Sequence, residues 1–430
     1  LDCNNVQANG ITQGTGSVNA LTLSGTRVVN PASIGFFLTQ AVDVTIDDWL
    51  VTGTATEYGM SILPQVAGTI TIRDGVANIT STSDSFGINC LPAAGVASSV
   101  IITGNDLTVE STAANDATGI KVKGATSVEV GNNTIHIPTA TVAYGIDIPN
   151  HDTITLDSTN VYKDTIYTDT AENTGVGITV GDDANPGTTV NNITTPQIQK
   201  NVISNFNHGV LCARVTSAHV WGNTVSDVVL GVIFKVTTTC LGTGNLVINA
   251  STNALRFKGD TDSIHANSMA YNESGTAPSD PLYADQTEAV GTGSAFYNNL
   301  VFTASAPSTA MARVIAPATA SFDGNLYWTD GAFPANPWVY GASTYSTITL
   351  WNAAATVGTD YSGDPALVGY ALDVASPAVG AGVRWWGLDA RPQGHDGHPF
   401  PDVYIDVGHL QSEHFKGHPF GGPNRRGRYI

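Results

Sequence analysis

Gly119-Ile120-Lys121-Val122 is followed by Gly145-Ile146-Asp147-Ile148 and then by Gly177-Ile178-Thr179-Val180. The same Gly-apolar-x-apolar tetrad stands upstream at Gly35-Phe36-Phe37-Leu38, Gly59-Met60-Ser61-Ile62 and Gly87-Ile88-Asn89-Cys90. Downstream it recurs at Gly209-Val210-Leu211-Cys212 and Gly231-Val232-Ile233-Phe234, with a glycine-less copy at Ala254-Leu255-Arg256-Phe257. Copies 22 to 32 residues apart have the period of a solenoid in which each coil carries a loop of variable length. A unit this short cannot bury an apolar face alone, so successive units must stack.

Between these copies runs a second motif, apolar-x-x-Asn-x-apolar, with its asparagine at 105, 133, 201, 223, 267, 299 and 325. Asparagine tolerates the left-handed backbone of a tight turn, and its amide can bond the same turn in neighbouring coils. In Val128-x-Val130-Gly131-Asn132-Asn133-Thr134-Ile135 the period-two alternation on either side of the asparagines marks two strands joined by a bend. The two motifs together predict three short strands per coil: an all-β, right-handed parallel β-helix of roughly 10–12 coils. A β-sandwich would need hairpin turns of the Asn-Gly or Asp-Gly type, and only isolated cases such as Asp74-Gly75 occur. Residues 1–330 are assigned to the helix and 331–430, rich in Trp, Pro and Gly, to an irregular cap that covers the open end.

Composition agrees. Of the 430 residues only 12% are charged, 45 are glycine, and β-branched and Asn residues abound. A net charge of −19, with no basic run before Arg425, Arg426 and Arg428, argues against nucleic acid as a partner. No apolar stretch approaches the ~20 residues of a membrane span. The chain begins at Leu1 without Met or a signal-like segment, as expected of a piece of a longer precursor. Cys3, Cys90, Cys212 and Cys240 lack C-x-x-C spacing, which leaves stacked core thiols or disulfides open. The low-Lys, Thr- and Asn-rich surface suggests an extracellular setting.

These repeats resemble the pectate-lyase-like right-handed β-helix superfamily. The C-terminal segments Phe322-Asp323-Gly324-Asn325-Leu326-Tyr327-Trp328, Gly363-Asp364-Pro365-Ala366-Leu367-Val368 and Ser376-Pro377-Ala378-Val379-Gly380-Ala381-Gly382 follow in the order of many bacterial and viral members, completed by Arg391-Pro392 and Ile405-Asp406-Val407-Gly408. The resemblance implies a fold shared by polysaccharide lyases, glycoside hydrolases, phage tailspikes, adhesins and non-catalytic structural proteins. It does not choose among them. It also implies that substrate lies along the exposed face of one stacked strand.

The Gly-motif strand is the candidate face. If its Ile and Val residues point inward, the outward column reads Ser61, Asn89, Lys121, Asp147, Thr179, Leu211, Ile233, Arg256, with Lys123, Lys235 and Lys258 two positions on. Ten Lys and Arg residues precede position 300, and six lie on or just past this strand: Lys121, Lys123, Arg214, Lys235, Arg256 and Lys258. Such a stripe on an acidic protein is a candidate groove for an acidic glycan, in which a cation neutralises a uronate and a Lys or Tyr removes the α-proton. Asp147, Asp152, Asp182 and Asp183, with His151 and His208 nearby, are the candidate acids, since carboxylates on adjacent coils would lie about 5 Å apart. Gly181-Asp182-Asp183, Asn207-His208-Gly209 and Arg256-Phe257-Lys258 resemble polygalacturonase signatures, but a motif copy at Gly231 intervenes and the upstream Asn-Thr-Asp is missing.

Lys121, Asp147, Asp182, Asp183, His208, Arg256 and Lys258 are therefore the candidate catalytic set, and Lys123, His151, Arg214 and Lys235 the candidate substrate-binding set. No cofactor is indicated, and Ca2+ is open wherever Asp side chains stack. Five histidines in the tail, 395, 398, 409, 414 and 418, read as loop residues on aromatics, and Trp385-Trp386 as cover for the solenoid end. The expected function is an extracellular polysaccharide-interacting β-helix, as a lyase or hydrolase of an acidic glycan. The alternative is a non-catalytic virion tailspike, decoration protein, surface fibre or adhesin subunit, with a homotrimer or larger assembly in prospect.

Overall fold

A computed structural model describes residues 9–13, 18–39, 41–93, 96–112, 115–150, 155–169, 173–181, 193–273, 278–285, 293–316, 319–354, 358–368, 370–372 and 376, to which all structural statements refer. The fold is the expected all-β right-handed parallel β-helix of about eleven turns with three strands per coil. The chain divides into two compact units, 1–216 and 217–430. In each unit, strands pair in parallel with the equivalent strands of neighbouring coils, forming sheet I (the Gly-motif strands, such as Ala117–Val122), sheet II (such as Ser127–Gly131) and sheet III (such as Thr134–Ile137).

Register follows the repeat. Ile88, Ile120, Ile146, Ile178 and Val210 pair successively and are fully buried, so β-branched side chains stack up the inside of sheet I. The glycine that opens each copy marks a tight corner. A Cβ on Gly87 would come within 2.6 Å of the Gly119 carbonyl oxygen and 3.0 Å of Val109 in sheet III. Cys90, Cys212 and Cys240 are buried, Cys90 and Cys240 as free thiols, which favours the core-thiol reading, and burial pushes Cys90 up to about 12. Cys3 lies outside the described residues.

The turn from sheet II to sheet III carries the polar ladder. In the first unit Asn105 Nδ2 and its backbone N–H both donate to Asn133 Oδ1 at 3.0 Å, and Asn133 donates in the same way to Asp164 Oδ1 at 2.9 and 2.8 Å. Asp164 N–H in turn donates to Asn201 Oδ1 at 2.9 Å. Trp49 starts the ladder: its indole N–H reaches Asn105 Oδ1 at 3.1 Å across Gly75, where a Cβ would overlap the ring. In the second unit the ladder runs Asn223, Asn245, Ser268, Asn299, Asn325 and ends on Asp360.

The structure corrects the sequence reading of this turn in two ways. The left-handed residue and the ladder residue are neighbours, not one residue: Gly104, Asn132, Lys163, Lys200, Gly222, Gly244, Asn298 and Gly324 take positive φ, and the amide or carboxylate that follows bonds a neighbouring coil. At Asn267 (φ 50) the ladder position is therefore Ser268, and both side-chain polar atoms of Asn267 are buried without a hydrogen-bond partner. Asp164, Asn245 and Asp360 belong to the ladder although the asparagine pattern omits them.

Sheet III differs between the units. In the first, Thr134-Ile135-His136 and Thr165-Ile166-Tyr167 alternate, burying only the central residue. In the second, Leu246-Val247-Ile248 and Leu300-Val301-Phe302 are continuously apolar, as strands covered on both faces must be. Leu246, Ile248, Met269, Leu300 and Leu326 form an outer apolar cluster under Tyr361, Leu367 and Tyr370. Leu367–Val368 and Ala371–Leu372 pair antiparallel, and the Tyr370 ring meets Tyr271 edge-on at 5.1 Å. Residues 331–372 thus contribute strand Trp338–Tyr340, parallel to Ala312–Val314, the one-turn helix Ile348–Asn352, and this covering hairpin. Most of 373–430, including Trp385-Trp386 and the five tail histidines, lies outside the described residues.

Asn299→Ala is expected to destabilise the protein by about 2–4 kcal/mol in urea melts, because it orphans the Ser268 N–H and the His265 carbonyl that its side chain serves. Asp164 provides a pH test. Burial pushes its carboxyl up to about 7, against donated hydrogen bonds from Asn133, and Oδ2 has no hydrogen-bond partner. The folded state therefore holds a proton that the unfolded state releases above about pH 4, so this group's contribution to stability is full below pH 4 and is lost as pH rises to about 7. Asp164→Asn is expected to melt near the parent temperature at pH 4 and above it at pH 8. An equal shift at both pH values would show that the charge is not the cause.

Candidate functional site

On sheet I the period-two pattern turns every second side chain away from the core, and stacking brings these residues into columns. Ser61, Asn89, Lys121, Asp147, Thr179 and Leu211 occupy one outward column in register, as the sequence predicted. In the second unit Ile233, Arg256, Tyr283, Arg313 and Val339 form the equivalent column, and Lys235, Lys258 and Asp285 the one beside it. A further outward column in the first unit holds Tyr58, Phe86, Thr118, Tyr144, Val176 and His208.

Two residues of the basic stripe, Lys121 and Arg256, are paired with carboxylates of the same chain. Lys121 Nζ lies 3.1 Å from Asp147 Oδ2, its in-register neighbour, and 6.0 Å from the centre of the Phe86 ring. Arg256 donates to Asp285 Oδ2 at 2.6 Å and lies 5.0 Å over the Tyr283 ring. Arg313 lies 3.0 Å from Asp280 Oδ1. Asp285 is 1% exposed in its side chain, so the carboxylate needs the guanidinium to offset its desolvation. Sequence reading missed Asp285, Asp280, Tyr283 and Arg313, which lie beyond the last copy of the motif. Their signal was the apolar-x-apolar spacing of Leu282-Tyr283-Ala284 and Ala312-Arg313-Val314.

Of the remaining candidates, Lys235 and Lys258 stay together in register beside Arg256, and the others are dispersed. Lys235 is buried and Lys258 half-buried, Lys123 is exposed after the strand end, and Arg214 occupies a left-handed turn at φ 55. His208 is half-buried in the aromatic column, in register with Val176. Asp152, Asp182, Asp183 and His151 lie outside the described residues. Asp147 has Lys121 and Thr179 as in-register neighbours, so its own column supplies no second carboxylate on either adjacent coil.

No protein-family model matches the chain, and no curated protein matches it. Among solved structures, the crystal structure of the Dettilon tailspike protein (gp208) aligns over 81% of this chain at 12% identity and a TM-score of 0.33. The chain spans 63% of the length of that protein.

Around Lys121 and Asp147 the outward column of sheet I holds Ser61, Asn89 and Thr179, all buried. Asn89 and Thr179 are each 5% exposed, and Asn89 Oδ1 and Thr179 Oγ1 have no hydrogen-bond partner. On the coils of Ser61 and Asn89 the Tyr58 and Phe86 rings stack at 5.0 Å and 7°. Where Ca2+ is concerned, no group of three or more His, Cys, Asp or Glu among the described residues could hold a metal. No helix among them is long and apolar enough to cross a membrane. His265 is a core residue: it stacks on Phe234 at 4.6 Å, and burial pushes it down to about 3.

The two ion pairs are expected to respond differently to truncation. Asp285→Ala leaves Arg256 beside a vacated, buried position and is expected to cost about 3 kcal/mol in chemical denaturation. Lys121→Ala, at a side chain 30% exposed, is expected to cost under about 1 kcal/mol.

Proposed function

We propose that this chain is an extracellular polysaccharide-contacting β-helix that binds its glycan without turnover, as a subunit of a virion or cell-surface structure. The observation that carries this reading is the pairing of Lys121, Arg256 and Arg313 with carboxylates of the same chain. Elimination from a uronate needs a cation free to neutralise the sugar carboxylate and a base free to take the α-proton. In the described residues those cations already neutralise Asp147, Asp285 and Asp280, which favours the non-catalytic alternative over a lyase of an acidic glycan. Polysaccharide contact is supported by the half-buried Tyr58–Phe86 ring stack on the outer side of sheet I, whose apolar surface suits the apolar face of a sugar.

The test pairs binding with turnover. The protein is expected to be retained on at least one immobilised glycan in an array, with no new reducing ends and no unsaturated product from that glycan or from polyuronates. Turnover that disappears in Lys121→Ala, Arg256→Ala or Lys258→Ala would restore the enzymatic assignment. Failure to bind any glycan would remove the polysaccharide from the reading. Mass photometry addresses the assembly, for which a trimer or larger particle is expected and a strict monomer would count against a spike.

A further inference from the structure

The outer face of sheet III in the second unit carries two columns. Leu246, Met269, Leu300 and Leu326 are in register and buried beneath Tyr361, Leu367 and Tyr370. The column two residues on, Tyr271, Phe302 and Trp328, is also in register but only half-buried. Tyr271 and Phe302 stack at 4.8 Å and 13°, and Tyr370 adds a fourth ring, edge-on to Tyr271 at 5.1 Å. Carboxylates rim these rings. The Tyr271 hydroxyl donates to Glu273, the Trp328 indole N–H donates to Asp330 Oδ1 at 3.1 Å, and Glu273 and Asp330 are both exposed. Burial, and then the charges of Glu273 and Asp227, raise the Tyr370 hydroxyl above its ordinary pKa, which puts a third carboxylate beside the same rings. Among the described residues none of the three carboxylates forms an ion pair.

Aromatic rings left half in water gain from cover by an apolar surface, and unpaired carboxylates beside them repel a polyanion. We propose that this column is a binding strip for a neutral glycan that runs parallel to the stack of coils. Coils repeat about every 4.8 Å, close to the length of one sugar unit in an extended chain, so consecutive rings meet consecutive units. The rings cover the C–H faces of the sugars. Sugar hydroxyls donate to Asp227, Glu273 and Asp330, whose charge strengthens each hydrogen bond. An acidic glycan meets the same three groups as like charges, which sets the preference. The strip rests on the polysaccharide reading above and deepens it, naming the class of glycan and placing it on a face other than the Gly-motif column.

A glycan array probed with the full chain, followed by calorimetric titration with cellohexaose, mannohexaose, xylohexaose and hexagalacturonate, tests the strip. At least one neutral glycan is expected to bind, and hexagalacturonate about tenfold more weakly or worse. Trp328→Ala is expected to weaken the neutral ligand by about tenfold or more, with thermal melts checking the fold. Glu273→Gln, at an exposed side chain, keeps the shape and removes the charge. It is expected to weaken the neutral ligand about 3- to 10-fold and to narrow the gap to hexagalacturonate. If acidic glycans bind and neutral ones do not, the strip is overturned and the polysaccharide reading stands. If no glycan binds at all, both fail. Neutral binding that neither Trp328→Ala nor Glu273→Gln alters, as expected if these rings serve only the packing of sheet III, also overturns the strip. So does tighter binding of tetralysine than of every neutral probe, the result expected of an acidic patch for cations.

Discussion

Each unit depends on the hydrogen bond from one turn's backbone N–H to the side-chain oxygen of the same turn one coil on. A parallel β-helix satisfies its strand backbones coil to coil, but at a corner the N–H has no strand partner and is buried. A side-chain oxygen in register solves this, and an amide does so twice, because its own N–H2 continues the ladder and serves a strand carbonyl as well. Asn133 shows the whole device: it donates to Asp164 by backbone and side chain and returns a hydrogen bond to the Ile102 carbonyl. The residue before it takes the left-handed conformation that aims the ladder side chain inward. Everything outside the core, including the outward columns, inherits its register from this chain of bonds.

The ends and irregular levels of the ladder show what the constraint tolerates. Gly75 offers no side chain, and the Trp49 indole takes its place. Ser268 substitutes a hydroxyl between Asn245 and Asn299. Asp360 closes the second unit's ladder by accepting from Asn325 N–H, Asn325 Nδ2, the Tyr327 hydroxyl and the Trp351 indole, a set of donors that offsets part of the cost of burying a carboxylate. Burial still raises it to about 6. Trp351 then lies edge-on over Phe322 at 5.1 Å and continues the aromatic core built by Phe257, His265 and Phe296.

The outer faces carry what function the molecule has, and they are built by different rules. On sheet I, identical backbone geometry at every coil places unlike side chains side by side, so that a cation lands next to a carboxylate wherever the sequence supplies both. That places Lys121, Arg256 and Arg313 in ion pairs within the chain. On sheet III of the second unit the outward residues are apolar because the hairpin at 367–372 returns over them. At the edge of that cover Tyr271, Phe302 and Trp328 stay half-buried in one outward column.

The period of the glycine motif and the alternation around it were enough to determine the coil, the three strands, the inward columns and the outward column from Ser61 to Leu211. These are consequences of local geometry that repeats. The same reading located most ladder asparagines, yet assigned Asn267 where Ser268 serves, because one residue type fits both the left-handed turn and the ladder and only register separates the two. Whether Lys121 and Arg256 stand free depended on partners 26 and 29 residues away, supplied by the next coil. The covering hairpin, the role of Asp360 and the carboxylates grouped around Tyr271 and Tyr370 depended on contacts between segments with no shared motif. Periodicity determines where a side chain points; only the folded chain determines what it meets there.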